Sequence, residues 1–280
     1  MRSGGGLPAA FLLLARNRNA VAPHFPPCSP APPSGWRGSR GMRALISAAV
    51  GAAITCGATF GFVAEAAATP ARLIILRHGE KSDPYRLCEI GRRRARALVE
   101  QYLGRDAQQS FFAPGTAPEA IFTISIHTVE TASPLANSWD LPQAFYSVLP
   151  VGKAPKLFDS DLAKRTKQAA ENLLNNPRFD GKTVVVVWEH NHIADASLPP
   201  GRRALTLRQA LNLDQLPGVP ETWPDNTYDY FWIVDYKPGN PVPVSFRMEK
   251  QVFTGKYADL PHNDWGQPEG LDVRETDCEP

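Results

Sequence analysis

The 280-residue chain carries 30 basic and 28 acidic residues. Residues 1–68 hold six of the basic residues and one of the acidic ones, so the remainder has 24 basic against 27 acidic, a net of −3. The small overall positive excess therefore sits in the leader, and no basic stripe with interleaved aromatics argues for a nucleic-acid partner.

Residues 1–41 are rich in Gly, Pro, Ala, Ser and Arg and contain no acidic residue. That composition cannot bury a core, and the segment is expected to be a disordered leader or one outside the true reading frame start. Met42 and Arg43 open an apolar stretch that ends in Ala66-Ala67-Ala68. One positive charge, an apolar run and small residues match a secretory signal over 42–68, with translation starting at Met42. An uncleaved anchor over Ala44 to Ala64 is the alternative, although its Ala, Gly, Ser and Thr content weakens it. A transit peptide over 1–41 is a further alternative. Lipidation at Cys56 is disfavoured by the bulk of Thr55. The expected location is periplasmic or secreted, with no stable membrane insertion once the signal is cleaved.

Residues 69–280 suffice for a single domain with a substantial core. They hold two cysteines, Cys88 and Cys278. In an oxidising compartment these either pair, tying the tail to the body, or remain free thiols; spacing does not decide.

Along this domain, strand and helix patterns alternate. Ala71 to Leu76 (ARLIIL) reads as a buried strand and Ile90 to Leu103 as a helix with Ala95, Leu98 and Tyr102 on one face. Ile121 to Ile124 (IFTI) is a short strand. Val129 to Trp139 is helical in pattern, with Pro134 limiting where it starts. Tyr146 to Leu149 is a weak third strand. Ser160 to Asn175 is an amphipathic helix capped by Ser160 or Asp161. Thr183 to Trp188 (TVVVVW) is a β-branched run suited to a central parallel strand covered on both faces. Ala204 to Leu213 reads as a helix, and Asp229 to Val234 and Val242 to Met248 as closing strands. The alternation predicts an α/β fold, a three-layer α/β/α sandwich with a mostly parallel central sheet and an antiparallel closing pair. The Pro-rich segments Leu198 to Arg203 and Leu216 to Asn226 are either a lid or surface connections.

In parallel α/β sheets, ligands bind beyond the carboxyl ends of the strands. Arg77, His78, Gly79 and Glu80 follow LIIL. Ser125, Ile126 and His127 follow IFTI. Glu189, His190, Asn191 and His192 follow VVVVW. Histidines therefore stand at three ends of one predicted sheet. An arginine beside a histidine suits an anionic substrate: a guanidinium holds two phosphate oxygens in a planar fork, and neutral imidazole can attack phosphorus. Gly79 allows close backbone approach, with amide donors facing the ligand.

The stretch LIILRHGEK resembles the signature of the histidine phosphatase superfamily, the group that includes phosphoglycerate mutases. CEIGRRRARAL (Cys88 to Leu98), SIHTVETASPLA (Ser125 to Ala136) and VVVVWEHNHI (Val184 to Ile193) resemble three further stretches of it, in the same order. The Trp-Glu-His form is similar to that of envelope-directed members. The resemblance implies a phosphomonoester hydrolase acting on a small phosphorylated substrate through a phosphohistidine. His78 would be the nucleophile, Arg77 would bind the phosphoryl oxygens, and His190 would stabilise the transition state, with no metal or other cofactor required.

Two departures follow from the same comparison: Glu189, Asn191 and His192 flank His190 where the family usually has small residues, and the segment Ser125 to Ala136 differs at two positions. His127 stands where the family has a second arginine, and Glu130 replaces a glutamine. A protonated His127 would still donate to phosphate. The general acid is expected among Asp161, Asp159 and Glu189, with Asp161 favoured narrowly. Glu80 would either orient His78 or be solvated. A pseudo-phosphatase that binds a phosphorylated ligand without turnover is the alternative. A zinc hydrolase using His190, His192 and Asp195 is a weaker one, because no further ligand pair completes that site.

Overall fold

The computed structural model describes residues 68–153, 155–198, 205–267 and 277–278. Apart from Ala68, the expected leader and signal segment lie outside the described residues. So does most of the Leu198 to Arg203 connection.

The sheet is built on β1 (Arg72–Arg77) and β6 (Thr183–Trp188), which pair in parallel from Arg72↔Thr183 to Arg77↔Trp188. Both are continuous apolar runs because both of their faces are covered. The strand order is β5-β4-β6-β1-β7-β8, with β4 at Ala120–Thr123, β5 at Gln143–Phe145, β7 at Tyr230–Tyr236 and β8 at Pro243–Lys250. The pairs β5-β4, β4-β6 and β6-β1 are parallel; β7 runs antiparallel to β1 and β8 antiparallel to β7. A separate small hairpin, β2 (Lys81–Asp83) with β3 (Arg86–Leu87), follows the first strand.

Successive side chains of a strand face opposite ways, so each strand feeds two cores. On one face Leu73, Ile75, Val184 and Val186 pack with Leu162, Ala169 and Leu173 of α3 (Asp159–Asn175) and Leu207 of α5 (Leu207–Ala210). On the other, Ile74, Leu76, Val185 and Val187 pack with Leu98 of α1 (Glu89–Leu98) and Ala132 and Leu135 of α2 (Ile126–Trp139). This is the expected three-layer α/β/α arrangement. Each fully buried aliphatic side chain contributes about 1.5–3 kcal/mol.

Several boundaries differ from the sequence reading. Helix α2 starts at Ile126, three residues early, and carries Pro134 inside it. Ser125 caps it, accepting from the Thr128 amide in a reciprocal capping box. That cap and the burial of Ala132 and Leu135 outweigh the hydrogen bond that proline removes. Helix α1 ends at Leu98 and continues to Leu103 as a π-helical segment. The third strand lies at Gln143–Phe145; Tyr146 and Val148 still donate to Thr123 and Ile124 carbonyls beyond it. Neither Ser160 nor Asp161 caps α3, whose N-cap position is Phe158 without a side-chain bond. Acidic Asp159 and Asp161 in the first turn instead favour the helix dipole. The helix expected over 204–213 shortens to α5, capped by Thr206, with a 3-10 turn at Leu213–Gln215.

Cys88 and Cys278 form a disulfide, with Cα atoms 5.0 Å apart across 190 residues of chain. Beside it the Asp277 carboxylate accepts from the Glu89 amide at 2.9 Å, serving the N-terminus of α1. No helix among the described residues is long and apolar enough to cross a membrane.

Candidate active site

The register of the sheet brings the polar strand ends together. Arg77 lies beside Trp188, and the His78 amide donates to the Trp188 carbonyl, so His78 adjoins Glu189 and His190. On the other side of β6, Thr123 pairs with Val187, which sets Ser125 beside Glu189. The Ser125 hydroxyl donates to Glu189 Oε1. The His78 ring lies 5.6 Å from that of His127 and 6.1 Å from that of His190, measured between centroids. The three histidine-bearing strand ends thus meet at one place.

His78 is fully buried. Its Nδ1 donates to the Gly79 carbonyl at 2.7 Å, since a carbonyl can only accept. In the neutral ring Nε2 therefore keeps its lone pair. Nε2 lies 3.2 Å from Glu189 Oε2 without forming an aligned hydrogen bond. Burial pushes the imidazole down to about pKa 4, against the upward pull of Glu189 and with a further downward push from Arg77 and Lys81. Burial alone would raise Glu189, but the His78 ring when it is protonated, Lys81 and the Ser125 hydroxyl hold its carboxyl well below the usual range.

The backbone around His78 is fixed by a close crossing. A Cβ on Gly79 would sit 2.9 Å from Gly91 backbone atoms, and one on Gly91 would sit 2.2 Å from the Glu80 carbonyl oxygen. Only glycine fits at either position. The Gly79 amide is engaged by Thr131 Oγ1 at 2.9 Å, so it anchors α2 where an amide facing a ligand was expected. Glu80 neither orients His78 nor meets solvent. It is buried in a bidentate pair with Arg94 of α1, with Oε1 accepting from both Nε at 3.0 Å and a terminal nitrogen at 2.5 Å.

Arg77 is also buried, and one terminal nitrogen reaches the carbonyls of Pro224 (3.2 Å), Asp225 (2.5 Å) and Thr227 (3.3 Å). Its guanidinium lies 3.8 Å from the Tyr228 ring centroid. Its Nε is buried without a hydrogen bond. The arginine holds the 224–228 loop, and that loop supplies Asp225. Asp225 Oδ1 accepts from His190 Nε2 at 2.8 Å, leaving His190 Nδ1 buried and without a partner. His190 stands at the start of the one-turn helix α4 (His190–Ile193). Burial, then the Arg77 charge, lowers its pKa to about 4 against the pull of Asp225.

A cavity of about 280 Å³ opens onto this cluster, lined by Lys81, His127, Lys156, Asp159, Glu189 and His190 among others. His127 is held by a bond from Nε2 to the Asp83 carbonyl at 2.8 Å. Asp161 does not reach this cavity; it is exposed and lines a separate depression with Lys164 and Arg165. Glu130 accepts from the Leu87 amide and so secures the hairpin. The nitrogens of His192 are taken up by Asn191 and the Asp159 carbonyl, and Asp195 caps Ser197. His190, His192 and Asp195 therefore do not converge as a zinc triad.

Sequence reading did not single out four residues of this site: Lys81, Asp225, Tyr228 and the Ser125 hydroxyl as a partner of Glu189. Lys81 and Ser125 carried a usable signal, each lying within five residues of a predicted strand end. Asp225 and Tyr228 carried none, since they arrive through a loop without periodicity.

No family model matches the sequence, and no curated protein sequence matches it. Solved structures to which the chain is similar include a mycobacterial glucosyl-3-phosphoglycerate phosphatase bound to inorganic phosphate, 16% identical, covering 72% of this chain and 100% of that one with a TM-score of 0.36. A protein called mycobacterial hydrolase 2 is 17% identical, covering 65% and 90% with a TM-score of 0.36. SixA of Agrobacterium tumefaciens, described as a phosphohistidine phosphatase, is 17% identical, covering 64% and 98% with a TM-score of 0.35.

Proposed function

We propose that the chain is a phosphomonoester hydrolase of the histidine phosphatase type, working through a phosphohistidine at His78. The observation that carries this reading is the state of His78: buried, neutral, its Nδ1 committed to a carbonyl, its Nε2 lone pair turned toward Glu189 beside His190 and Arg77. A neutral imidazole held in this way is a nucleophile that needs no separate base to activate it.

In this reading a phosphomonoester enters past Lys81 and His190. The dianion raises the pKa of both Glu189 and His190, since a negative charge beside a carboxylate favours its neutral form and beside an imidazole its charged form. His190 Nδ1 then carries a proton and donates to a phosphoryl oxygen. His78 Nε2 attacks phosphorus, the P–O bond to the leaving group breaks, and the leaving oxygen takes the proton of Glu189. Glu189, now a carboxylate, accepts a proton from water as that water attacks phosphorus. The N–P bond breaks and inorganic phosphate is released. Lys81 and the unengaged edge of Arg77 offset phosphoryl charge. His127 adds a donor only when protonated, because its Nε2 is committed to Asp83. The chemistry assigned here asks for no metal. Asp159, at the cavity wall, replaces Asp161 as the second carboxylate within reach of substrate.

A non-hydrolytic phosphate-ligand-binding role is favoured by one observation, the commitment of an Arg77 terminal nitrogen to three loop carbonyls. A periplasmic or secreted location is supported by the signal-like segment 42–68 and by the Cys88–Cys278 disulfide, which suits an oxidising compartment. The deciding experiment screens p-nitrophenyl phosphate, sugar phosphates and phosphopeptides against the purified protein, with and without EDTA, and quenches a ³²P-labelled substrate reaction in base. Base-stable, acid-labile label on His78 is expected. Binding of substrate without label or phosphate release would leave the binding role standing alone.

A further inference from the structure

His78, Glu189 and His190 each present a donor atom, and these three atoms lie within 4.8 Å of one another. Three features mark the group as more than a chance cluster. First, the outer nitrogen of each imidazole is fixed by an acceptor: Nδ1 of His78 by the Gly79 carbonyl, and Nε2 of His190 by the Asp225 carboxylate. Backbone carbonyls and carboxylates are the partners that orient metal-ligating histidines and fix their tautomers. Second, the remaining nitrogens, His78 Nε2 and His190 Nδ1, are buried and have no hydrogen-bond partner. Third, the 3.2 Å from His78 Nε2 to Glu189 Oε2 is close to the roughly 3.3 Å edge of a tetrahedron with bonds of about 2.0–2.1 Å.

We propose that, when no phosphorylated ligand is bound, this trio takes up a transition-metal dication of the Zn²⁺ class as an inhibitor. Two imidazoles and one carboxylate suit Zn²⁺, Co²⁺ or Ni²⁺ and disfavour Mg²⁺ and Ca²⁺, which require oxygen ligands. The cation would enter through the 280 Å³ cavity, whose wall already includes Glu189 and His190. It would occupy the lone pair that attacks phosphorus, so metal binding and nucleophilic attack exclude each other. Glu189 and Asp225 compensate the metal charge, while Arg77 and Lys81 oppose it.

The inhibition rests on the hydrolase reading above; the binding does not, and the test separates the two. The full-length, metal-stripped protein is titrated calorimetrically with Zn²⁺ and with Mg²⁺, and its Co²⁺ complex is recorded in the visible range. Expected are Zn²⁺ uptake that is at least tenfold weaker in Glu189→Gln, tetrahedral Co²⁺ bands absent from His190→Ala, and no uptake of Mg²⁺. Asp225→Asn, a change at an exposed side chain that leaves the fold intact, should weaken Zn²⁺ about 10-fold. Where p-nitrophenyl phosphate is hydrolysed, Zn²⁺ should suppress turnover and EDTA restore it. Zn²⁺ uptake unchanged in all three variants, or turnover that rises with Zn²⁺, overturns the inference. Uptake in a protein that hydrolyses no phosphomonoester would uphold the metal site while removing the hydrolase reading.

Discussion

The two ends of the same strands make an instructive pair. At the amino ends of β1, β4 and β6 lies the larger depression, about 540 Å³, lined by Arg72, Glu119, Gly181 and Thr183 among others. At their carboxyl ends lies a cavity of about half that volume, lined by Glu189, His190 and His127. Two charges of the larger depression are paired: Arg72 with Asp235 at 2.6 Å and Glu119 with Arg178 at 2.8 Å. The smaller one has buried imidazole nitrogens without partners and, beside one of them, a buried carboxyl whose pKa is held well down. Cavity size does not separate the two. Unspent, buried, titratable chemistry does, because holding it costs stability that a purely structural site has no reason to give up.

The contrast is broken most completely by His78→Ala. Turnover of any accepted phosphomonoester should fall on the order of 10⁴-fold or more, with the circular dichroism spectrum unchanged. Retained hydrolysis would move the nucleophile elsewhere.

Gly91→Ala attacks the same end through the backbone. Its methyl group would meet the Glu80 carbonyl oxygen at 2.2 Å, so Glu80 and with it the His78 turn must shift. A loss of about 3 kcal/mol in urea denaturation is expected, at the upper end of overpacking costs. An unchanged midpoint would show that α1 can slide away freely.

Acidification sharpens the comparison without mutation. His78 and His190 titrate near 4 in the folded protein and near 6.5 when unfolded. Between those values the unfolded chain binds more protons, so stability must fall as pH drops from about 6.5 toward 4. The depressed Glu189 adds in the same direction at the lower end of the range. A pH series of thermal unfolding should show this decline, and the acid limb of kcat/KM should lie near 4, where His78 takes its proton. A flat profile through that window would mean the imidazoles are already charged in the fold.

Asp225→Asn is a milder probe. Its carboxylate orients His190 but is largely exposed, so the interaction is discounted to about 1 kcal/mol. A five- to tenfold fall in kcat/KM is expected; no change would make Asp225 a bystander. The smallest effect belongs to the opposite end of the strands. Arg72→Ala breaks a partly exposed ion pair, and denaturation should register at most about 1 kcal/mol. Turnover should stay within about twofold, and a larger drop would link the two ends of the sheet in a way their separate hydrogen bonding does not suggest.

Parts of this picture were legible residue by residue. The runs LIIL and VVVVW declared central strands because a strand covered on both faces cannot carry polar side chains along its length. Arg77, His78 and His190 declared a site because they end those runs abruptly. The start of α2 was not legible from Pro134, since the Ser125 cap works through side-chain geometry that a breaker rule ignores. The sequence favours Asp161 over Asp159, yet two residues along a helix is a rotation of about 200°, and of the two only Asp159 lines the cavity at Glu189 and His190. Glu80, two residues from His78 in sequence, is drawn away by Arg94 on the facing helix.

The sequence by itself determined the layered sheet, its parallel centre and the three strand ends where histidines gather, because periodicity and burial are local properties of a chain. It left open whether Cys88 and Cys278 pair. Tertiary structure decided that pairing, the partners of Arg77 and Glu80, the arrival of Asp225 and which of two aspartates lines the cavity. Those outcomes depend on which carbonyls, helices and loops meet across long stretches of chain, and such meetings are set by packing as a whole, not by any neighbouring residue.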